Sequence, residues 1–202
     1  MEISVIVTNY NYGRFIGRCI RSILNQDIDS KNYEVIVVDD SSTDDSWEIL
    51  KTFEGKIRLF RNETNLGLAA TSNYGIINAN GRYVVRIDSD DYVHPDFLRV
   101  ILLGFDLFGR NTEAISLDYL NVTSAGEVIS YGSSEKDPIA CGIAFKLDAI
   151  EQVGFYDPQL RVHEEIDLRQ RFLREGFRIQ NINLPLYKYV RHDKSLSNQP
   201  LI

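Results

Sequence analysis

The sequence predicts an α/β fold with a mainly parallel central sheet flanked by helices. Short β-branched runs alternate with amphipathic segments through the first half, as in successive βα units. The run Val35-Ile36-Val37-Val38 is continuously apolar, as a strand covered on both faces requires. Polar and acidic residues gather directly after these runs, at the strand ends where open α/β sheets hold ligands.

In chain order, residues 3–8, 35–38, 57–61 and 83–87 read as strands. Between the first two, Phe15, Ile16, Cys19, Ile20, Ile23 and Leu24 form one apolar helical stripe, which would cover a sheet face. Shorter helices are expected over 46–53 and over 66–79, the latter stopping before Asn80-Gly81. Pro95 opens a helix to about residue 108, since its missing donor costs little in a first turn. Residues 114–120 and 128–131 flank Ser124-Ala125-Gly126-Glu127, which suggests a hairpin and a smaller, mixed sheet region. A helix over 164–175 ends at Gly176, and two short strands follow at 178–182 and 186–190.

With 44% hydrophobic and 25% charged residues, the 202-residue chain suits one domain: a ligand-binding half to about 110, then a half from about 111 to 202. The net charge of −7 would repel a phosphate backbone, which argues against nucleic acid as a partner. The absence of a long apolar run and a start directly in a strand lead us to expect a cytoplasmic domain without a transmembrane segment, with peripheral contact at the inner membrane face left open. Cys19 and Cys141 are expected to be buried free thiols, not a disulfide or a zinc site.

Three strand ends carry the chemistry: Thr8-Asn9-Tyr10-Asn11-Tyr12, then Asp39-Asp40-Ser41-Ser42-Thr43-Asp44, then Asp88-Ser89-Asp90-Asp91. Neither a Gly-x-Gly-x-x-Gly nor a Walker sequence is present, so the common phosphate loops are not used. Asp88 and Asp90 are two apart, and in extended chain their carboxylates share a side. A hard cation such as Mg2+ or Mn2+ would relieve their repulsion; a solvated acidic loop capping the next helix would also account for the cluster. Asp39 and Asp40 equally allow two readings, as helix-capping acids or as acceptors for a pyrimidine N–H, with Tyr10 offering a ring to stack upon.

Val5-Ile6-Val7-Thr8-Asn9-Tyr10-Asn11, Val37-Val38-Asp39-Asp40-Ser41-Ser42-Thr43-Asp44, Asn65-Leu66-Gly67 with Asn73, and Gly81-Arg82-Tyr83 leading to Asp88-Ser89-Asp90-Asp91 together resemble the inverting family-2 glycosyltransferases of the GT-A (Rossmann-like) fold. The resemblance keeps order and spacing over about the first hundred residues. It implies that Thr8 and Tyr10 line a uridine pocket, that Asp40 contacts the uracil, that Asp88 faces the ribose and also adjoins the metal, and that Asp90 coordinates the Mn2+ or Mg2+ ion bridging the donor phosphates. Asp91 would be a supporting acid and Asn73 part of the donor site. Thr71-Ser72 stands where the family often has an arginine. Further on, Gly154-Phe155-Tyr156-Asp157 and His163-Glu164-Glu165-Ile166-Asp167-Leu168 resemble the family more weakly. Members commonly read Glu-Asp-x-Asp-Leu there, with the second acid as base, so Glu165 takes that place with one extra methylene. His192, in Tyr189-Val190-Arg191-His192-Asp193-Lys194-Ser195-Leu196-Ser197, stands at a family histidine that is in some members a further metal ligand. His94 and His163 have no such support.

The resemblance thus implies transfer of a sugar from a nucleotide sugar, most commonly a UDP-sugar, to a saccharide or glycolipid hydroxyl in surface-polysaccharide or envelope synthesis. The alternatives are a catalytically silent sugar-nucleotide-binding module and a nucleotidyltransferase of similar fold. The latter would want a Gly-rich basic loop after the first strand, where 8–14 offers only Gly13 and Arg14.

Overall fold

The computed structural model describes residues 1–160 and 162–193. Strands β1 (Ile3–Asn9), β2 (Tyr33–Asp39), β3 (Arg58–Arg61) and β4 (Tyr83–Asp88) lie in the order β3-β2-β1-β4 and all run parallel. Their connections are α1 (Gly13–Leu24), α2 (Ser46–Lys51) and α3 (Leu68–Ile77). The period-two geometry of β1 divides the core: Ile3, Val5 and Val7 pack with Ile16, Ile20 and Ile23 of α1, while Ile6 packs with Ile36, Val38 and Ile76 on the α3 side. Both sheet faces are therefore covered, which is why the strands read as continuous apolar runs.

The mixed part expected of the second half is present as a continuation of the same sheet. Strand β8 (Ile143–Lys146) runs antiparallel to β4, setting Phe145 opposite Val84 and Ala144 opposite Val85. Beyond it lie β6 (Ala114–Thr123), β9 (Ile179–Arg191) and β5 (Tyr92–Val93), with β7 (Val128–Gly132) completing the expected hairpin on β6. Helix α4 (Phe97–Phe108) covers the α1 side, while α5 (Leu147–Gln152) and α6 (Glu164–Arg174) supply core residues to the other. Among the described residues no helix is long and apolar enough to cross a membrane.

Three local expectations change. The two short strands at the C-terminal end are one strand, β9, interrupted by a bulge. Its pairing with β6 passes from Leu117–Ile182 to Tyr119–Tyr187, and Pro185, which has no N–H to offer the ladder, lies in the slack. Strand β8 and helix α5 arise where no periodicity announced them. Helix α3 starts at Leu68, not 66, because the backbone N–H groups of Leu66 and Gly67 are drawn to a side chain of the site. Both cysteines are buried and free.

Candidate active site

The strand register builds the site. Thr8 pairs with Val38 on one side and Asp88 on the other, and Asn9 pairs with Asp39. The loops leaving β1, β2 and β4 therefore start level, at the point where strand order switches direction about β1. A cleft of about 620 Å3 opens there, lined by Thr8, Tyr10, Asp40, Asp88 and Asp90, with Leu66, Leu160 and Tyr189 among its other walls. Residues a hundred positions apart in the sequence share this one cavity.

The two adjacent acids of β2 and its loop have separate tasks. Asp39 is fully buried and stitches two loops: Asn9 Nδ2 donates to its Oδ1 at 3.0 Å and Ser42 Oγ at 2.5 Å, while Arg61 Nε stands 3.3 Å from Oδ2. Asp40 turns towards the cleft and holds its wall. Its Oδ1 accepts from Asn62 Nδ2 at 2.7 Å and Leu66 N–H at 2.8 Å, and its Oδ2 accepts from Gly67 N–H at 2.9 Å. Gly67 has φ of 90°, a left-handed value suited to glycine, so the chain can present both N–H groups before α3 begins. Tyr10 is 43% exposed at the cleft, leaving a ring face open for stacking.

The acidic cluster also divides. Asp91 faces inward, where Tyr187 Oη donates to Oδ2 at 2.6 Å and Val190 N–H donates to Oδ1 at 2.7 Å, so it anchors β9. Burial, then the charges of Asp90 and Asp88, push its carboxyl well above the usual range. Asp90 lies at the cleft with His192 Nε2 2.9 Å from its Oδ2, and that imidazole stacks on Phe15 at 4.6 Å between ring centroids. Burial and the neighbouring Asp88 raise the Asp90 carboxyl. The remaining motif residues 194–197 after His192 lie outside the described residues.

Among the described residues, Asp88, Asp91 and Cys141 bring metal-type ligand atoms within 4.8 Å of one another. Asp91 is already saturated by β9, and burial holds the Cys141 thiol well above its usual range, so that thiol is a poor ligand for a hard cation. Asp88 and Asp90 border the cleft, and His192 lies against Asp90. No lysine, arginine or histidine lines the cleft among the described residues, whereas three carboxylates do.

Two sequence-derived site residues lie apart. Asn73 is not at the cleft: its Nδ2 donates to the Tyr156 carbonyl at 2.7 Å and its Oδ1 accepts from Tyr156 N–H at 3.0 Å, so both ends of the amide are spent clamping α3 to the second half. Glu165 is half-buried in the first turn of α6 and is not part of the cleft lining. Burial, followed by the charge of Glu164, raises its carboxyl above the ordinary glutamate value, while Arg86 and His163 pull the other way. Sequence reasoning passed over Arg86 and gave no role of their own to Tyr12 and Tyr189, which line the cleft. Arg86 had a signal, namely a cation inside the apolar strand Tyr83-Val84-Val85-Arg86-Ile87.

The family profile described as Glycosyl transferase family 2 matches residues 4–114, more than half of the chain and both acidic strand ends. The chain belongs to glycosyl transferase family 2. It is 33% identical to EpsE of Bacillus subtilis over 216 residues, covering 95% of this chain and 73% of EpsE. The UDP-Glc:alpha-D-GlcNAc-diphosphoundecaprenol beta-1,3-glucosyltransferase WfaP of Escherichia coli is 29% identical, over 96% of this chain and 79% of WfaP. The crystal structure of Staphylococcus aureus TarS residues 1–349 with UDP-GlcNAc superposes with a TM-score of 0.86 at 21% identity, over all of this chain and 62% of that one. That likeness shows the GT-A fold, and the chain spans less than two thirds of that fragment. The protein is a glycosyltransferase, which sets aside the nucleotidyltransferase alternative.

Proposed function

We propose that this chain moves a sugar from a nucleotide sugar, in the first instance a UDP-sugar, to a hydroxyl of a saccharide or glycolipid acceptor, with inversion at the anomeric carbon and dependence on Mn2+ or Mg2+. The observation that carries the reading is the cleft at the level strand ends, where the Tyr10 ring, Asp40, Asp88 and Asp90 converge and no lysine, arginine or histidine lines the wall among the described residues. TarS was crystallised with UDP-GlcNAc, and WfaP is named for a UDP-glucose donor and a lipid-linked diphosphate acceptor, which supports the donor and acceptor classes. A lipid-linked acceptor would bring the domain to the cytoplasmic face of a membrane. Residues 1–110 would bind the donor and 111–202 would supply the acceptor side and the base.

In this reading Tyr10 and Thr8 receive the nucleoside and Asp40 accepts a hydrogen bond from the base while holding Leu66 and Gly67 in place. Asp88 faces the ribose, and Asp88, Asp90 and His192 would hold the cation. When bound, that ion supplies electrostatic stabilisation of the departing diphosphate. The Glu165 carboxylate takes the proton of the acceptor hydroxyl as its oxygen attacks the anomeric carbon. The bond from that carbon to the diphosphate oxygen breaks, leaving a nucleoside diphosphate and an inverted glycoside.

A thermal-shift panel of nucleotide sugars with and without Mn2+ tests this. At about 100 times Kd, a ligand of the native state adds roughly 2.7 kcal/mol, or about 5–10 °C for a domain of this size. UDP-sugars with Mn2+ are expected to give that shift. A panel that shifts nothing, or shifts equally in chelator, contradicts the proposal.

A further inference from the structure

Among the described residues Arg86 is the only buried lysine or arginine. Its side chain, 3% exposed, reaches from β4 to two acids in different halves of the chain. Nε stands 3.2 Å from Asp88 Oδ1, an ion-pair contact without hydrogen-bond alignment, and Nη1 donates to Glu164 Oε1 at 3.2 Å. The guanidinium carbon lies 5.1 Å over the Tyr156 ring, and Tyr156 is the residue whose backbone Asn73 clamps. Asp88 borders the cleft; Glu164 opens α6 and immediately precedes Glu165. One rigid planar cation therefore connects the donor-side acid to the helix that bears the base.

Burial of an ion pair is weak support for stability, because an apolar pair of similar volume does as well. What such a pair does fix is relative geometry. We propose that Arg86 is a positioning residue for transfer: through Glu164 it locks the first turn of α6 to Asp88, and so holds the Glu165 carboxylate in register with the reacting end of the cleft. The inference rests on the reading of Glu165 as base. The asparagine clamp holds the backbone of Tyr156, the residue whose ring the guanidinium covers. The two charges beside Glu165 also act on it in opposite senses, Arg86 favouring its ionised form and Glu164 disfavouring it.

Three variants are compared with the wild type for kcat, donor KM and pH profile. R86M/E164L removes the Arg86–Glu164 pair together, leaving only the partly exposed Asp88 without its cation, and is expected to unfold cooperatively, keep donor KM within about threefold, and lose about 100-fold in kcat, the cost of misplacing a reacting group by about 1 Å. R86K, whose ammonium can reach one acid but not fork to both, is expected to recover about tenfold of that loss. E164Q retains an acceptor for Nη1 but removes a negative charge, so its acid limb moves to lower pH. A double variant with kcat within about threefold of wild type, one whose donor KM rises in step with the fall in kcat, or one that no longer folds overturns the proposal, as does an unmoved acid limb in E164Q. E165Q in parallel separates the two claims: wild-type transfer by E165Q defeats the base reading, whereas an inactive E165Q beside fully active Arg86 variants defeats the positioning role alone.

Discussion

Asp40 offers the sharpest structural prediction, because one carboxylate both faces the cleft and holds its wall. In D40N the amide oxygen can keep the Asn62 and Leu66 donors, but its NH2 then confronts the Gly67 N–H; turned the other way, two donors are lost instead of one. The minimum damage is thus one hydrogen bond to a charged acceptor, worth about 1.5–3 kcal/mol. For a chain of this length that lowers Tm by roughly 3–12 °C. Because the released segment carries Leu66 and Gly67 of the cleft, nucleotide affinity is expected to fall by about tenfold or more, roughly 1.4 kcal/mol. Urea unfolding measures the first effect and titration with UDP the second. D40N within about 0.5 kcal/mol of wild type in stability would refute the wall-holding role, and unchanged UDP affinity would refute the link between wall and donor.

Asn73 gives the complementary case. N73D turns a donor into an acceptor against the Tyr156 carbonyl and is expected to cost about 1–3 kcal/mol in urea unfolding while UDP affinity stays the same. A stable N73D that binds UDP poorly would return this residue to the donor site. Glu165 predicts a pH signature. Burial raises its carboxyl, so the base is ionised and transfer is fast above that raised value, and the acid limb of kcat lies above the ordinary glutamate pKa of about 4.3. The same raised value favours the protonated form in the folded state, a contribution present at low pH and lost as pH rises through it. E165Q should therefore be no less stable than wild type at neutral pH, and a marked destabilisation would contradict the burial argument. Gly75 tests the packing of α3 on β1. A Cβ there would lie 2.5 Å from Ile6 Cγ2, and the overpacking cost of about 1–3 kcal/mol exceeds the gain in helix propensity of about 1 kcal/mol, so a G75A variant should show a lower urea midpoint.

The first half of the molecule was legible because its signals are local. Each strand declares itself by an apolar run, and the acids that follow β2 and β4 fall at the level ends that parallel register produces. The second half was less legible because its geometry depends on partners far along the chain. Strand β8 is defined by the open edge of β4, and β9 is one strand with a bulge because β6 sets its ladder on both sides of Pro185. The same holds inside the site. Nothing near Asn73 announces that its amide pairs with a backbone 83 residues away. Asp39 and Asp40 look alike as neighbours, yet strand alternation sends one into the loop junction and the other to the cleft. The helix read over 164–175 put Glu165 in a first turn, as the structure has it, but only the structure reveals Arg86 joining that turn to Asp88.

The central claim is metal-dependent transfer by this cleft, and its most direct test is the rate of UDP release from a UDP-sugar in the presence of acceptor, with the wild type and D90A each assayed in Mn2+ and in chelator. The account predicts release by the wild type in Mn2+ only, and a loss of at least about 100-fold in D90A, the scale expected when a principal electrostatic stabiliser of the leaving group is removed. Undiminished release by the wild type in chelator, or by folded D90A in Mn2+, would contradict it.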